Sequence, residues 1–159
     1  MPSAYTLTAA SGVLTASGVF TNTQTVVVGG KTYTTQTTLT DTDGNVAIGA
    51  SAAATLQNLY DAINLTGTAG TQYAASMTIN AEVAATGVDA TTLTVTAKTP
   101  GSVGNLIAST ETQTNAAWGA AVLEGGAGHV AGWADSVLTN SQLNADAMRL
   151  LKTLTPGAD

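Results

Sequence analysis

Short apolar runs that alternate with threonine dominate the first half of the chain and predict β-strands, because branched side chains suit a pleated backbone. Two runs rich in valine and threonine, at residues 25–28 and 31–35, flank Gly29-Gly30 and predict a hairpin with a tight turn. In residues 92–97 every second position is apolar, which predicts a strand with one buried face. Further short strands are expected at residues 5–8, 13–16, 46–48, 73–79, 81–85, 106–110 and 120–124.

One segment in the middle of the chain has helical periodicity instead. Residues 52–63 carry apolar side chains at positions i, i+3, i+4 and i+7, namely Leu56, Leu59, Tyr60 and Ile63. Ser51 fits the N-cap of this helix, and Gly67 is expected to stop the chain from continuing it. The order of strands, helix and strands predicts an α+β fold, with a mostly antiparallel sheet or sandwich and one amphipathic helix packed on it.

The end of the chain has a different composition and predicts a second helix. Four glycines between residues 125 and 132 indicate a hinge. Residues 141–154 then carry apolar side chains at helical spacing, and this C-terminal helix has room to dock on its own sheet or on a neighbour's. We therefore expect an N-terminal arm over 1–20, an α+β core over 21–126, and a Gly-rich hinge with the C-terminal helix over 127–159.

Charge is scarce and acidic, which restricts the partners that the chain can have. Its 159 residues include 10 acids and 4 bases, so 9% are charged and the net charge is -6. The four bases are scattered and form no basic patch, so no nucleic-acid partner is expected. The apolar stretches are too short to cross a bilayer, so no membrane partner is expected. A surface with so little charge predicts burial against copies of the chain or other proteins.

Residues with catalytic chemistry are few. The chain has no cysteine and one histidine, which argues against a thiol nucleophile and against zinc. Gly49-Ala50-Ser51 begins like a nucleophile elbow, but Ala53 replaces the second glycine and His129 would have to act as the base. An N-cap role explains Ser51 by itself. Residues 126–131 match the spacing G-x-G-x-x-A of a dinucleotide loop, yet no βαβ unit follows, so a hinge is favoured.

Two acidic patterns leave alternatives open. Asp41, Asp43 and Asn45 have the 1, 3, 5 spacing of a calcium loop, but the glycine falls at position four and position twelve is Ala52. A capped turn is the simpler explanation, with a weak surface cation site as the alternative. Convergence of two carboxylates would suit glycoside hydrolysis, and the candidates are Asp61, Glu82, Asp89, Glu111 and Glu124. We expect no catalytic residue, no metal and no cofactor.

The candidate interface residues are apolar side chains in the last third of the chain. Trp118 and Trp133 lie near loops and the hinge, and tryptophan is enriched at binding hot spots. For these two residues core packing is the alternative. The C-terminal helix adds four leucines to the predicted interface, namely Leu143, Leu150, Leu151 and Leu154.

Several runs of residues carry a resemblance to known proteins. They are VVVGGKTYT at 26–34, IGAS at 48–51, LQNLYDAIN at 56–64, VTAKTPGSVGN at 95–105, STE at 109–111 and WG at 118–119. Over residues 20–126 they resemble a domain that recurs in virion structural proteins of tailed bacteriophages. The Leu-x-x-Leu-x-x-Ala-Ile-Asn helix, followed by strands ending in Ala-Lys-Thr, is similar in a looser way to the repeated motif of flagellar hook-associated proteins.

The resemblance implies a non-enzymatic, self-assembling protein of the virion, assembled in the cytoplasm of the host bacterium. A capsid decoration (cement) protein that stabilises the head is the expectation. The alternative is a tail component, as a tube, baseplate or fibre adaptor subunit, and a glycan-binding or glycan-cleaving module is a further alternative. The expected partners are copies of the chain and other virion proteins, either major capsid or tail proteins.

Overall fold

Two four-stranded sheets and one helix surround a single apolar core. The structure is a computed structural model that describes residues 6–128. Its strands are β1 Ser11–Ala16, β2 Thr25–Val28, β3 Lys31–Gln36, β4 Asn45–Ala47, β5 Val83–Val88, β6 Thr92–Ala97, β7 Ser109–Glu111 and β8 Ala116–Trp118. The helix α1 spans Ala52–Asn64, and a 3-10 helix spans Ser102–Leu106.

The strands are mostly antiparallel. The first sheet has the order β5-β6-β1-β8 and the second has the order β4-β3-β2-β7. All neighbouring strands are antiparallel except β3 and β4, which run parallel. The predicted α+β class, a mostly antiparallel sheet arrangement with one helix packed on it, is confirmed. The predicted C-terminal helix lies outside the described residues.

The central hairpin forms where the local sequence predicted it. Strands β2 and β3 pair from Thr25 with Thr34 to Val28 with Lys31. The two residues between them, Gly29 and Gly30, have φ angles of 58° and 67°. Positive φ at both central positions matches the twist of a two-residue hairpin, and glycine adopts it without steric cost.

The helix α1 also begins where predicted but ends by a different device. The Ser51 hydroxyl accepts a hydrogen bond from the Ala54 N–H at 3.1 Å, which confirms the N-cap. At the other end Leu65 takes the left-handed conformation, with φ 53°, and its N–H donates to the Asp61 carbonyl. The expectation that Gly67 ends the helix is therefore corrected, since the reversal occurs two residues earlier.

Replacing Leu65 with glycine is expected to stabilise the protein. A left-handed leucine costs about 1 kcal/mol in backbone strain, and glycine removes that strain but adds freedom to the unfolded chain. The net expectation is a gain of about 0.5 kcal/mol in the free energy of unfolding. Chemical denaturation of Leu65→Gly against wild type checks it, and a loss of stability would show that the half-buried leucine side chain matters more than the strain.

The core joins the inner faces of both sheets to one face of α1. Its largest fully buried side chains are Leu14, Val26, Val28, Tyr33, Val46, Leu56, Leu59, Ile63, Val83, Leu93, Val95 and Leu123. The helix packs mainly on β5 and β4 and so spans one strand from each sheet. Alternation within strands therefore places one face of each sheet in the core and the other face outside.

The predicted N-terminal arm over 1–20 is corrected for the part that the structure describes. Strand β1 lies between β6 and β8, and Leu14 pairs with Leu93 on one side and Trp118 on the other. Phe20 is also buried in the core. Because β1 is an interior strand of its sheet, residues 11–20 belong to the folded domain.

Three strand predictions are also corrected. Of the strand predicted at residues 5–8, the described residues 6–8 form only an isolated bridge, between Thr8 and Ala127. Residues 73–79 form no strand, and only Tyr73 makes isolated bridges, with Val46 and Ala69. Residues 120–124 make two isolated bridges instead of a strand, while the strand next to them in the chain is β8, which the sequence pattern missed. Short segments of this kind are held by tertiary contacts, so local periodicity carries little information about them.

Hydrogen bonds hold the C-terminal end of the described domain, at residues 127–128, against the rest of the domain. Thr8 and Ala127 exchange two backbone hydrogen bonds of 3.0 Å. The Ser102 N–H donates to the Gly128 carbonyl at 3.0 Å. Residues 127–128 of the predicted hinge therefore belong to the domain, whose compact unit ends at Gly128. Among residues 6–128 no helix is long and apolar enough to span a membrane.

Candidate functional site

The turn that resembled a calcium loop acts as an anchor for a neighbouring segment. The Asp43 carboxylate accepts hydrogen bonds from the Thr78 N–H at 2.9 Å and from the Thr78 hydroxyl at 2.6 Å. Asp41 accepts the Ser76 N–H at 2.7 Å. These bonds draw the backbone of residues 76–78 to the turn, which explains why the segment does not pair as a strand.

A lysine occupies the place where a cation would bind this turn. Lys31 Nζ lies 2.7 Å from an Asp43 carboxylate oxygen and 2.7 Å from the Thr78 hydroxyl, and it also donates to the Thr78 carbonyl. Asn45 points elsewhere and donates its amide to the Thr40 carbonyl and hydroxyl. Within residues 6–128, no three His, Cys, Asp or Glu side chains come together as a metal-binding group. The geometry is that of a capped turn.

Hydrogen bonding lowers the pKa of these carboxylates. Burial acts to raise the pKa of Asp43, but hydrogen bonds from Lys31 and Thr78 outweigh it and lower the pKa to about 2. The pKa of Asp41 is lowered because the Ser76 N–H donates to it. The pKa of Asp89, in the turn between β5 and β6, is lowered because its carboxylate accepts bonds from residues 91 and 92.

Acid is therefore expected to destabilise the fold below about pH 4. Each carboxylate has a lower pKa in the folded chain than its ordinary value of 3.8, so its contribution is full above that value. The contribution of Asp43 is lost as the pH falls toward 2. We expect Asp43→Asn to lower stability at pH 6 by less than about 1 kcal/mol, because this ion pair is partly exposed.

Thermal unfolding between pH 2 and 7 measures this effect, and the fall in Tm on acidification is expected to be shallower in Asp43→Asn. Glu124→Gln is the matched control, since the Glu124 side chain accepts no hydrogen bond within the described domain. An equal fall in Tm for wild type and Asp43→Asn would contradict the role given to Asp43.

The residues considered for nucleophilic or dinucleotide chemistry have structural partners. Ser51 caps α1 as described, and His129, its proposed base, lies outside the described residues. In the G-x-G-x-x-A run, Gly126 exchanges two hydrogen bonds with the Asn105 side chain, at 2.8 and 3.0 Å. Gly128 takes φ 83°. Gly126 therefore allows a close backbone approach, and Gly128 provides a positive φ angle.

The five candidate carboxylates are spread over different elements, and three of them hold the fold. Asp61 is 7% exposed and accepts hydrogen bonds from Gln72 at 2.6 Å and from the Thr66 hydroxyl at 2.8 Å. Asp89 caps the turn before β6. Glu111 accepts the Trp118 N–H at 3.3 Å. Glu82 and Glu124 are exposed. None of these contacts joins two carboxylates as an acid and a base.

Sequence reasoning missed a buried asparagine that joins the two sheets. Asn80 is fully buried, donates to the Val28 carbonyl at 3.0 Å and the Tyr33 hydroxyl at 3.2 Å, and accepts the Val83 N–H at 3.0 Å. It also accepts the Glu82 N–H at 3.0 Å. Burial raises the pKa of Tyr33 to about 12 despite the bond from Asn80. No sequence signal marks Asn80, because it lies between elements.

Trp118 lies in the core instead of on an exposed contact surface. Its side chain is 9% exposed, and its indole N–H donates to the Thr110 carbonyl at 3.2 Å. Trp118 is therefore a core residue, which was the alternative to its prediction as an interface residue. That prediction is corrected because the side chain is buried. The other predicted interface residues lie outside the described part of the chain, namely Trp133, Leu143, Leu150, Leu151 and Leu154.

The strand residues on the outward face of the first sheet are small or β-branched and uncharged, and the exposed Glu124 lies beside Ser11 at the margin of this face. Strands β1, β5, β6 and β8 contain no ionisable residue. In β1 the residues Ser11, Val13 and Thr15 alternate with the buried ones and are exposed. In β6 the outward residues are Thr92, Thr94 and Thr96. The second sheet differs, because it contains Lys31 and Glu111.

Side chains bind backbone groups at both edges of the first sheet. At β5 the Asn64 amide donates to the Ala85 carbonyl at 2.9 Å, and its oxygen accepts the Ala85 N–H at 3.0 Å. At β8 the carboxylate of Glu111 accepts a hydrogen bond from the Trp118 N–H. Backbone groups that have such partners are not free to pair with a strand from another chain.

The edges of the second sheet are covered by the chain itself. At β4 the Ala47 N–H donates to the Gln72 carbonyl at 2.9 Å. At β7 the Ser109 N–H donates to the Ala121 carbonyl at 2.9 Å. Both sheets therefore leave their faces, instead of their edges, for contact with other proteins.

The 3-10 helix carries an exposed leucine, whereas the outward faces of the sheets carry mainly small polar side chains. Leu106 is 83% exposed and Val103 is 49% exposed. Residues three apart in a 3-10 helix lie on the same side, so these two side chains form one exposed apolar surface.

Comparison with known proteins gives no assignment, since no family model, curated protein or solved structure matches this chain.

Proposed function

We propose that this protein is a non-enzymatic structural component of a tailed-bacteriophage virion, and specifically a capsid decoration protein that stabilises the head. The observation that carries the proposal is the uncharged outward face of the strands of the first sheet, on a sandwich in which each edge strand has a backbone group bound by a side chain or by another segment of the chain. The sequence resemblance to phage virion domains, which covers residues 20–126, supports the virion role and applies to head and tail components alike.

An uncharged face suits permanent contact because it loses little on leaving water. Burying an unpaired charge costs far more than burying a methyl group or a hydroxyl that finds a partner. The face presents the Thr92, Thr94 and Thr96 side chains beside Ser11, Val13 and Thr15, in register across β1 and β6. Threonine supplies both a methyl group to pack and a hydroxyl to pair.

The size of this face favours an assembly with many contacts over an isolated pair. The strands lie about 4.8 Å apart and rise about 3.3 Å per residue; three of them have six residues and β8 has three, which gives a face of roughly 330 Å². A stable interface buries about 800 Å² per partner. The sheet face therefore supplies less than half of a standard contact, and repeated contacts on a large shell would supply the rest.

The blocked edges favour the head over a tail tube. A tube whose subunits join their sheets needs free strand edges, because its backbone hydrogen bonds continue from one subunit to the next. Here Asn64, Glu111 and two chain segments occupy those positions. A decoration protein needs only a face that lies on a shell that is already closed. A tail component remains the second candidate for the same face.

Counting copies in purified particles tests the proposal. Quantitative mass spectrometry is expected to find the protein at copy numbers comparable with those of the major capsid protein. A dozen or fewer copies would instead support a tail adaptor. Absence from particles would overturn a virion role.

A pair of matched variants tests the face itself. Thr15→Lys places a charge on the first sheet, and Thr32→Lys places one at an exposed threonine on the second sheet. We expect Thr15→Lys to reduce binding to particles at least tenfold and Thr32→Lys to retain most of it. Equal binding by both variants would show that the first sheet is not the contact surface.

A further inference from the structure

The geometry points to a second contact surface, and we propose that two copies of this chain bind each other through Leu106 and the groove beside it. This inference goes beyond the virion role, because it concerns the free chain in solution. The 3-10 helix Ser102–Leu106 carries both parts of the surface. Leu106 projects from it, and Val103 forms one wall of the groove.

The groove has the size and lining to receive one leucine side chain. Its volume is about 220 Å³, and it is lined by Ala81, Glu82, Thr99, Val103, Gly104 and Ile107. A cavity of about 150 Å³ already accommodates a benzene ring. The aliphatic walls come from Ala81, Val103 and Ile107, so the groove matches an aliphatic group better than a polar one.

The rim of the groove carries one charge of each sign. Glu82 lines the groove, and its carbonyl accepts the Lys98 N–H at 2.8 Å, so the two residues are neighbours across the sheet. Within residues 6–128 the one ion pair is between Lys31 and Asp43, and no salt bridge joins Glu82 to Lys98. Lys98 Nζ donates to the Asn80 carbonyl at 2.6 Å, which holds the ammonium near the rim.

Leu106, the groove and the two charges of one copy are complementary to those of a second copy, so a second copy is the occupant that fits them. In a two-fold dimer each surface meets an identical surface, so a projection beside a groove can fill the groove opposite and be received in turn. In such a dimer we expect the Glu82 carboxylate of each copy to face the Lys98 ammonium of the other. A partner whose surface carried charges of only one sign would repel either Glu82 or Lys98.

Sedimentation equilibrium of the full chain tests the contact. The surface is small, so a weak dimer with a dissociation constant on the order of 100 µM is expected. Leu106→Gln is expected to weaken association at least tenfold, since it removes the central apolar group. Leu65→Gln is the control at a second leucine, 40% exposed and outside the groove, and should leave association unchanged. Because Leu106 is 83% exposed, Leu106→Gln should keep the wild-type Tm.

Charge reversal distinguishes a two-fold contact from non-specific adhesion. Glu82→Lys alone and Lys98→Glu alone each place like charges opposite one another, and each variant by itself is expected to be monomeric. An equimolar mixture of the two restores both opposite-charge pairs in a mixed dimer, and association is expected to return. This recovery requires residue 82 of one copy to face residue 98 of the other.

Three outcomes would overturn the inference. They are a wild-type chain that stays monomeric up to about 1 mM, an equal effect of the two leucine variants, and a mixture of charge variants that remains monomeric. Each can occur while Thr15→Lys still reduces binding to particles. Failure of the dimer and failure of the virion role are therefore seen in different assays.

Discussion

Replacing Leu14 with alanine is expected to lower the free energy of unfolding by about 3 kcal/mol. Leu14 is fully buried in β1, where its neighbours across the sheet are Leu93 and Trp118. Removing its branched end loses apolar burial and leaves a cavity in the middle of the core, because strands paired on both sides cannot move in to fill it.

Val13→Ala is the matched control for Leu14→Ala, since it truncates the adjacent residue on the outward face of the same strand. Val13 is 40% exposed, so the expected loss is below about 1 kcal/mol. Chemical denaturation of both variants measures the difference. Equal small losses would mean that residues 11–16 do behave as a separable arm.

Replacing Asn80 with alanine is expected to cost about 3 kcal/mol. The variant leaves the Val28 carbonyl, the Tyr33 hydroxyl and two backbone N–H groups without the partners that they now have. Each buried polar group that is left unpaired loses about 1 to 3 kcal/mol, and entry of water recovers part of the sum. Asn22→Ala is the control, because this exposed amide makes a single bond, to the Thr37 N–H.

Asn80→Asp separates the role of hydrogen bonding from that of shape. A carboxylate has the same outline but would face the Val28 carbonyl, so the acid is expected to stay protonated and its pKa to rise. A raised pKa means that the variant is most stable below the ordinary pKa of aspartate and loses stability as the pH increases. A variant as stable at pH 8 as at pH 4 would contradict this account.

The two positions show how the proposed function depends on the fold. Leu14 packs in the core shared by the two sheets, and Asn80 bonds to groups of both sheets, so the two residues support the fold that presents the uncharged face and the Leu106 surface. A surface that is ordered before binding loses little conformational freedom on binding, which favours a contact that is individually small. Stability and assembly are therefore expected to fail together when the core is damaged, and separately when only a surface residue changes.

Predictions from local sequence were reliable wherever the interactions that form an element lie within that element. The hairpin at Gly29 and Gly30, the alternation of β6 and the N-cap at Ser51 were all predicted from neighbouring residues and confirmed. In each case the physical cause lies within about a dozen residues: a positive φ angle, a two-residue period, or a hydroxyl that accepts an N–H.

The errors arose where the partner is distant in the chain. Residues 11–16 looked like an arm because nothing local shows that β6 and β8 pair with them. Residues 73–79 looked like a strand because nothing local shows that Asp41 and Asp43 bind their backbone from more than thirty positions away. Trp118 looked like an interface residue because a tryptophan near loops has no period that reveals burial.

The sequence by itself determined the fold class, the positions of the hairpin and α1, and the scarcity of charge. Tertiary structure alone decided which uncharged residues share one outward face, which edges are blocked and which leucine is exposed. The reason is physical: composition and short-range periodicity are properties of neighbouring residues, whereas a surface is made by strands that the fold brings together from distant parts of the chain.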